Sequence, residues 1–460
     1  MKREGQVSIK ERIGYAMGDV ASNFFFQSFM LFLMYFYTDI VGISAGVVGT
    51  MMLITRIWDA VNDPMMGAIA DRTNTRWGKF RPYLLWFAVP FGVVGVLTFA
   101  TPNWSMTGKI VYAYTTYTLM MMIYTAINVP YSALMGVLTP SASERTAISS
   151  YRFVGAFIGG LVVQATVPSI VAKYYADNEA LGYRVVMTGV SALAVILFLI
   201  TFLTTKERVS PPKEQKSALK QDLRDLIRNK PWLLIAGATV MQLTLNAMRN
   251  GAIMYYFKYF VGKDNLILFG REISYSMTSA FMMFGTVFTI IGAMLAKPIT
   301  SVLQKGRAYT VLMLLTAVFV GSFFFFKPEQ VELMFLFQLL ASLCMGPMAV
   351  LQWSIYTDTA DYGEWKFGRR ATGLIMAASL FALKLGLALG GALLGWILQA
   401  FGFVPNVAQT VTSLVGIRAV MSLFPALAAV LGAAFMFAYP LTQSKLEEIE
   451  AELSARRQRE

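Results

Sequence analysis

The chain has 460 residues, of which 56% are hydrophobic and 14% charged, and its mean hydropathy is +0.56. About 25% of the residues of a typical soluble domain are charged, so this composition excludes an ordinary soluble protein and indicates many membrane spans. The chain contains no histidine and one cysteine, Cys344, which excludes a disulfide framework and the commonest transition-metal ligand. Any proton or cation chemistry must therefore use carboxylates.

Twelve apolar runs are each long enough to cross a hydrocarbon core of about 30 Å. They predict helices over residues 13–38, 46–70, 83–101, 109–137, 149–172, 184–204, 232–259, 273–296, 308–326, 332–357, 372–401 and 413–440. The charged interval 205–231 separates six runs from six. We therefore predict an all-α polytopic membrane protein with one six-helix bundle in 1–204, a linker in 205–231 and a second bundle in 232–441.

Lys and Arg are concentrated in alternate loops, such as "DRTNTRWGKFRP", whereas "TDIVGISAG" and "TPNWSMTGK" are nearly free of them. This asymmetry predicts that both termini are cytoplasmic. The net charge of +13 then reflects membrane topology and requires no nucleic-acid partner. Residues 442–460 have Leu446, Ile449 and Leu453 at helical spacing, which predicts a cytoplasmic tail helix and leaves a partner-binding role open.

The second run contains "RIWDAVNDPMMG", where charges interrupt an apolar helix. Arg56, Asp59 and Asp63 are spaced i, i+3 and i+7, so they lie on one helix face, with Asn62 adjacent. Because an acid at this depth costs about 2.5–3.5 kcal/mol on insertion scales, it is expected to face a cavity or a partner. Pro64 frees a further carbonyl oxygen. The cluster favours a small cation over the alternative, a purely structural ion network with Arg56.

The first, fourth, seventh and eleventh runs also contain polar residues. In "YTAINVPYS", Tyr124, Thr125 and Asn128 share a face at a depth similar to that of Asp59, which favours cation or sugar contacts over helix packing alone. The isolated polar residues of the other runs are Asp19, Asn23, Arg249 and Lys384. Within the runs, the three acids Asp19, Asp59 and Asp63 balance the three bases Arg56, Arg249 and Lys384, which indicates charges paired around a central cavity. The helix-2 acids are the expected partners of Lys384.

Two inner loops, "DRTNTRWGKFRP" and "TDTADYGEWKFGRR", mix acids with bases. Ion pairs between the loops of the two halves would close the inner mouth, whereas ordinary solvated loops are the alternative. The predicted coupling and gating residues are Asp19, Arg56, Asp71, Arg76, Asp358, Asp361, Glu364, Arg370 and Lys384.

Six stretches occur in the order and at the spacing of a known family: "GYAMGDVASN", "FYTDIVGI", "RIWDAVNDPMMG", "DRTNTRWGKFRP", "NVPYSAL" and "DTADYGEWKFGRRATG". Over about residues 8–445, the chain resembles the glycoside–pentoside–hexuronide:cation symporters of the major facilitator superfamily. The resemblance implies the major facilitator fold, two pseudo-symmetric bundles, a multi-pass protein of the bacterial inner membrane, and function as a monomer without a cofactor.

Residue by residue, the resemblance implies a sodium site at Asp59, Asn62, Asp63 and Thr125. Arg152 in "YRF" and Lys384 match positions of sugar binding and coupling. Asn23 and Asn128 stand where melibiose permease, a family member, has two sugar-binding aspartates, so melibiose itself is not expected. Trp353 lies one turn from that permease's helix-10 tryptophan. The predicted substrate contacts are Asn23, Tyr124, Asn128, Arg152, Arg249, Trp353 and Lys384.

The stretch 352–396 resembles bacterial xyloside permeases, so the predicted function is symport of a small xyloside or pentoside with sodium, or alternatively with a proton or lithium. A glucuronide or galactoside symporter of the same family is the first alternative. A sodium-coupled lysolipid carrier is a second, which the polar residues Asn23, Asn128 and Arg152 disfavour. An intramembrane prenyltransferase is disfavoured by twelve spans in two halves, and a sugar sensor without transport remains open.

Overall fold

The computed structural model describes residues 7–208, 219–262, 265–268, 271–368 and 372–457. The helices that follow the twelve predicted runs are α1 (Ile9–Leu31), α2 (Ala45–Arg72), α3 (Arg81–Thr98), α4 (Met106–Leu138), α5 (Ala142–Tyr174), α6 (Glu179–Thr204), α7 (Lys230–Tyr255), α8 (Met277–Met294), α9 (Lys305–Gly321), α10 (Val331–Phe367), α11 (Thr372–Ala400) and α12 (Val411–Met421, continuing as Leu423–Phe437). A linker helix (Leu219–Arg228) and a tail helix (Gln443–Arg457) lie outside the spans.

Shorter elements complete the described chain. They are Leu33–Tyr35 and the wide π-helical turn Phe36–Ile40 after α1, the π-helical turn Tyr256–Val261 after α7, the helix Ala296–Val302 and the 3₁₀ turn Ser322–Phe324. Strands β1 (Asn265–Leu268) and β2 (Arg271–Ser276) form an antiparallel hairpin before α8.

The described helices are consistent with a polytopic membrane protein. Ten of the described helices are long and apolar enough to cross a membrane, and there are eleven if α1 and its continuation, bent by 55°, count as one span. Helix α2 has 28 residues, which is also long enough to span, but its buried charges lower its hydropathy. The all-α fold class is confirmed, because the hairpin is a small addition to a helical chain.

Polar residues at the helix starts explain where several spans begin. The side chains of Ser8, Ser105, Ser141, Asn178, Asn229 and Thr410 each accept a hydrogen bond from a backbone N–H in the first turn. Such caps satisfy donors that have no partner within the helix and that are costly to leave unpaired near a membrane.

The chain divides into two compact units. The first contains the described residues up to 208 together with 265–283 and 404–407, and the second contains the described residues of 219–262, 284–403 and 408–457. The predicted domain boundaries at 204, 231 and 441 stay predictions.

In the first unit, α1 packs tightly against α5. A Cβ atom at Gly155 would lie 2.8 Å from the carbonyl oxygen of Ala16, and one at Gly159 would lie 2.8 Å from that of Val20. Glycines permit this close backbone approach, as small residues do at membrane helix interfaces. The contact places Asp19 and Asn23 of α1 beside α5.

In the second unit, glycines of α11 likewise allow close backbone contact with α7. Cβ atoms at Gly386 and Gly390 would each lie 2.6 Å from a backbone carbonyl oxygen, of Val240 and Thr244 respectively. Lys384 lies on the same helix, two residues before the first of these glycines.

Several helix boundaries differ from the sequence prediction, and three of them concern predicted site or loop residues. Helix α10 continues to Phe367, so Asp358, Asp361 and Glu364 lie on a helix and not in a loop. The prediction was wrong there because it ended the helix where the apolar run ended, whereas a polar helix can continue beyond the membrane. Asp71 similarly lies in the last turn of α2. Helix α8 begins at Met277, where Ser276 Oγ accepts a hydrogen bond from the N–H of Ser279.

The tail helix packs against the end of α10. Ile449 and Leu453 are buried there with Leu441, and Tyr362 and Trp365 of α10 pack against them. Trp365 Nε1 donates to Glu452 at 2.8 Å. The apolar face of the tail is therefore already occupied within the second unit.

Candidate cation and glycoside site

Two carboxylates of α2 and one hydroxyl of α4 meet inside the first unit. Thr125 Oγ1 lies 2.7 Å from Asp59 Oδ1 and 3.0 Å from Asp63 Oδ1. Asp59 and Thr125 are each 2% exposed, while Asp63 and Asn62 are half-buried. Because both carboxylates are within hydrogen-bond distance of one hydroxyl, three oxygens converge on a small volume between the helices.

The donor atoms of this oxygen cluster are of the kind that bind small, hard cations. Calcium is usually bound by six to eight oxygens with several carboxylates. Among the described residues, no group of three or more Asp, Glu or Cys side chains is placed to hold a metal ion. Two carboxylates and one neutral hydroxyl oxygen form a hard-oxygen donor set, which suits a small cation and provides fewer ligands than calcium usually takes.

Arg56 lies on the same helix as the two acids and is 6% exposed. Its Nη2 and the hydroxyls of Thr55 and Tyr117 are buried, and the Arg56 guanidinium is close enough to the Tyr117 hydroxyl to interact with it. Buried polar groups of this kind commonly bind ordered water. The buried surface of α2 and α4 is therefore polar beyond the three oxygens of Asp59, Asp63 and Thr125.

Asp19 and Arg152 form a half-buried ion pair between α1 and α5. Arg152 Nε donates to Asp19 Oδ2 at 2.6 Å and Arg152 Nη2 donates to Asp19 Oδ1 at 3.2 Å. Tyr131 Oη also lies 2.7 Å from Asp19 Oδ2, and the guanidinium lies 5.0 Å from the centroid of the Tyr131 ring. The two-point geometry fixes the plane of the guanidinium and compensates its charge.

The two asparagines predicted to contact sugar lie on α1 and α4. Asn128 Oδ1 accepts from Ser22 Oγ at 2.8 Å, and Asn128 Nδ2 donates to the carbonyl oxygen of Tyr124 at 3.0 Å. Asn23 Nδ2 donates to the carbonyl oxygen of Asp19 at 3.0 Å. Each amide retains a second N–H, so the two side chains can still donate to a hydroxyl-rich ligand.

The contacts that support these side chains have no recognisable signal in the sequence. Tyr131 occurs in the "NVPYSAL" stretch but has no recognisable role from its position in the chain. Ser22, which is 2% exposed, looks like a packing residue until its contact with Asn128 is known. Only the α1–α4 juxtaposition reveals both roles.

The remaining predicted substrate contacts lie in the second unit. Arg249 is 3% exposed, and its guanidinium lies 4.8 Å from the centroid of the Phe323 ring. Trp353 is partly exposed on α10, with its ring 6.0 Å from that of Tyr356. Lys384 is half-buried on α11. Their roles toward substrate and cation stay predictions.

The predicted gating residues are divided between the units. Asp71 and Arg76 are exposed in the first unit, where the Arg76 guanidinium lies 4.4 Å from the centroid of the Trp77 ring. In the second unit, Asp358 pairs with Lys305 at 2.7 Å. Asp361 and Glu364 are half-buried on the same helix, and Arg370 lies outside the described residues. Ion pairs between the halves stay a prediction.

The family model described as "MFS/sugar transport protein" matches residues 14–443. The chain belongs to this family. It is a membrane transporter and not an enzyme, and the resemblance to glycoside–pentoside–hexuronide:cation symporters is confirmed by its relatives.

Two relatives and one solved structure illustrate the likeness. The chain is 40% identical to the inner membrane symporter YicJ of Escherichia coli, over 98% of this chain and 96% of that protein. It is 34% identical to the isoprimeverose transporter of Lactiplantibacillus pentosus, over 89% of this chain and 84% of that protein. The crystal structure of a D-xylose-proton symporter superposes with a TM-score of 0.63 at 12% identity, covering 94% and 98% of the two chains, and this likeness shows the fold alone.

Proposed function

We propose that this transporter carries a neutral glycoside, a xyloside in particular, together with sodium across the bacterial inner membrane. The family and its relatives, among them an inner membrane symporter and an isoprimeverose transporter, support cation-coupled symport of a glycoside. The sodium and xyloside assignments rest on the residues of the first unit.

The observation that carries sodium coupling is the Thr125 hydroxyl held between Asp59 and Asp63. A cation at this point would be held by oxygens of all three side chains, and the hydroxyl proton would turn away from the carboxylates. Without a cation, two close carboxylates repel each other and need a compensating positive charge. Cation binding therefore changes the electrostatic state of α2, which is how it can favour one conformation of the transporter over the other.

The observation that favours a neutral sugar is the pairing of Arg152 with Asp19. An acidic sugar would need a free guanidinium, and here both contacting nitrogens already donate to a carboxylate. A uronate would either be repelled by the Asp19 carboxylate on the same guanidinium or displace it, which would leave that acid half-buried without its partner, the costly case for an ion pair. A neutral glycoside needs only the remaining amide N–H groups of Asn23 and Asn128.

A glucuronide symporter is the second candidate, because Arg152 has the forked geometry that binds carboxylates. The Asp19 contact argues against it, since the carboxylate that this fork binds is supplied by the protein itself. If Arg152 released Asp19 and bound the substrate carboxylate during transport, a glucuronide would be favoured.

The test is counterflow in proteoliposomes with a panel of xylosides, galactosides and glucuronides, each with and without sodium. We expect a xyloside to compete at concentrations at which a matched galactoside does not, with sodium increasing the rate. Asn128→Asp should weaken any glucuronide competition far more than that of a neutral sugar, because it adds a repelling carboxylate. If glucuronides compete best in the unaltered protein, the neutral-substrate assignment is wrong while symport stands.

A further inference from the structure

A groove of about 580 Å³ lies between α5 and α6, with Phe24 of α1 at its floor. Valine, leucine and isoleucine side chains and one glycine form most of its walls, and its polar residues are Thr166, Tyr174 and Tyr175. The hydroxyl of Thr166 already donates to the carbonyl oxygen of Val162 at 2.7 Å. The interior of this α5–α6 groove therefore offers little to a sugar and suits an apolar ligand.

The groove opens on the side of the unit where α6 presents apolar residues. Val185 and Leu193, which line it, are each more than 40% exposed, and Ile196 continues the same apolar surface. Along α5 the groove extends from Val162 to Tyr174, a rise of about 18 Å over twelve residues. One leaflet of a hydrocarbon core is about 15 Å thick, so the groove matches the depth of a single lipid leaflet.

Two exposed basic residues directly precede residues that line the groove, at the end of α5 and near the start of α6. Lys173 is exposed, and its Nζ lies 5.3 Å from the centroid of the ring of Tyr174, the last residue of α5. Arg184, also exposed, directly precedes Val185 in the groove wall. Of the acids nearby, Asp177 is exposed in the turn, and Glu179 accepts a hydrogen bond from Tyr35 Oη at 2.8 Å. Tyrosines and basic residues at a helix end are typical of the headgroup region.

We propose that the α5–α6 groove binds one acyl chain of an anionic phospholipid, with the phosphate of its headgroup near Lys173 and Arg184. The apolar walls are accessible from the lipid-facing side, so an acyl chain can enter without displacing protein. The two cations select an anionic headgroup over a zwitterionic one, since basic residues at the membrane surface attract anionic lipid. This site is separate from the residues proposed to hold cation and sugar.

The test is native mass spectrometry of the purified full chain after mixing with phosphatidylglycerol or phosphatidylethanolamine of identical acyl chains. Gly189→Trp fills the groove without a backbone clash, because a Cβ atom there meets nothing within 4 Å. We expect it to reduce tight phosphatidylglycerol binding about tenfold, whereas Gly136→Trp, at an equally open glycine of α4, should retain it.

The headgroup part of the proposal is tested by Lys173→Gln combined with Arg184→Gln. We expect this double variant to lose most of an about tenfold preference for phosphatidylglycerol over phosphatidylethanolamine while still binding lipid. Equal lipid binding by Gly189→Trp and the unaltered protein would overturn the site. Equal binding of both lipids by the unaltered protein would overturn the anionic assignment.

Discussion

At the scale of single residues, Arg152 places a positive charge inside the first unit, and the carboxylate of Asp19 compensates that charge. The guanidinium and Asp19 make two contacts, at 2.6 and 3.2 Å, and Tyr131 Oη lies 2.7 Å from the same carboxylate. Because Asp19 already compensates the charge, a neutral ligand can accept hydrogen bonds from the remaining N–H groups of Arg152. Substrate selectivity should therefore depend on Asp19 as much as on Arg152.

Asp19→Asn removes the compensating charge and leaves the guanidinium half-buried beside a neutral amide. We expect transport of a neutral glycoside to fall about tenfold or more, equivalent to about 1.4 kcal/mol, and competition by a glucuronide to increase. Competition in proteoliposomes measures both effects in one assay. Ser28→Ala, a buried change elsewhere on α1, is the control and should leave the ratio of the two sugars unchanged.

Lys384 is predicted to be the counter-charge of the helix-2 acids and to compete with sodium for them. Lys384→Ala should therefore impair coupled accumulation and shift the sodium concentration for half-maximal transport about tenfold, because the carboxylates lose their compensation. Lys327→Ala removes an exposed lysine outside the predicted site and serves as the control. An unaltered sodium dependence in the Lys384 variant would remove this lysine from the mechanism.

At the scale of helices, the sequence predicted the spans well and their polar ends poorly. Apolar length is a direct consequence of the membrane, so runs such as 109–137 closely match α4 at Met106–Leu138. The extension of α10 to Phe367 was missed because its last turns are polar and are supported by the tail helix. The convergence of Asp59, Asp63 and Thr125 could be predicted from spacing and depth, whereas the Arg152–Asp19 pair joins positions 133 residues apart and requires the fold.

The tail helix should depend on its apolar contact with α10. Ile449→Asp places a carboxylate in a buried apolar site, at a cost of several kcal/mol unless the helix detaches. We expect amide hydrogen exchange in 443–457 to accelerate while the spans remain protected. Ser444→Asp introduces the same group at an exposed position and should change little. Unchanged protection in the Ile449 variant would show that the tail is held by other contacts.

The start of α5 should carry a pH-dependent contact with α1. A hydrogen bond from Arg12, at 2.7 Å, holds the pKa of Glu144 below its ordinary value. Because the folded pKa is lower than the unfolded one, this contact stabilises the fold above the unfolded pKa and is lost as pH falls through the folded pKa.

Glu144→Gln should therefore lower the Tm at neutral pH, and the difference from the unaltered protein should shrink as the solution is acidified. Arg12→Gln removes the same contact from the other side and should reproduce the effect. Thermal unfolding in detergent at a series of pH values is the measurement. A Tm difference that stays constant on acidification would contradict the assigned role of the pair.

At the scale of the whole molecule, symport requires that cation and sugar binding be linked. Linkage is reciprocal, so sodium must tighten glycoside binding by the same factor by which the glycoside tightens sodium binding. The structure places the predicted cation oxygens on α2 and α4 and the predicted sugar-contacting amides on α1 and α4 of one unit. Helix α4 contributes Thr125 to the predicted cation site and Asn128 to the predicted sugar site. These residues are about one turn apart, so a movement of α4 on cation binding would also move Asn128.

The most direct test of the central claim is sodium stimulation of glycoside transport in proteoliposomes containing Asp59→Cys or Asp63→Cys. If these carboxylates hold the coupling cation, each change should abolish the stimulation while some sugar binding or sodium-free exchange remains. Full sodium-driven accumulation by both variants would contradict the account and place the cation site elsewhere in the protein.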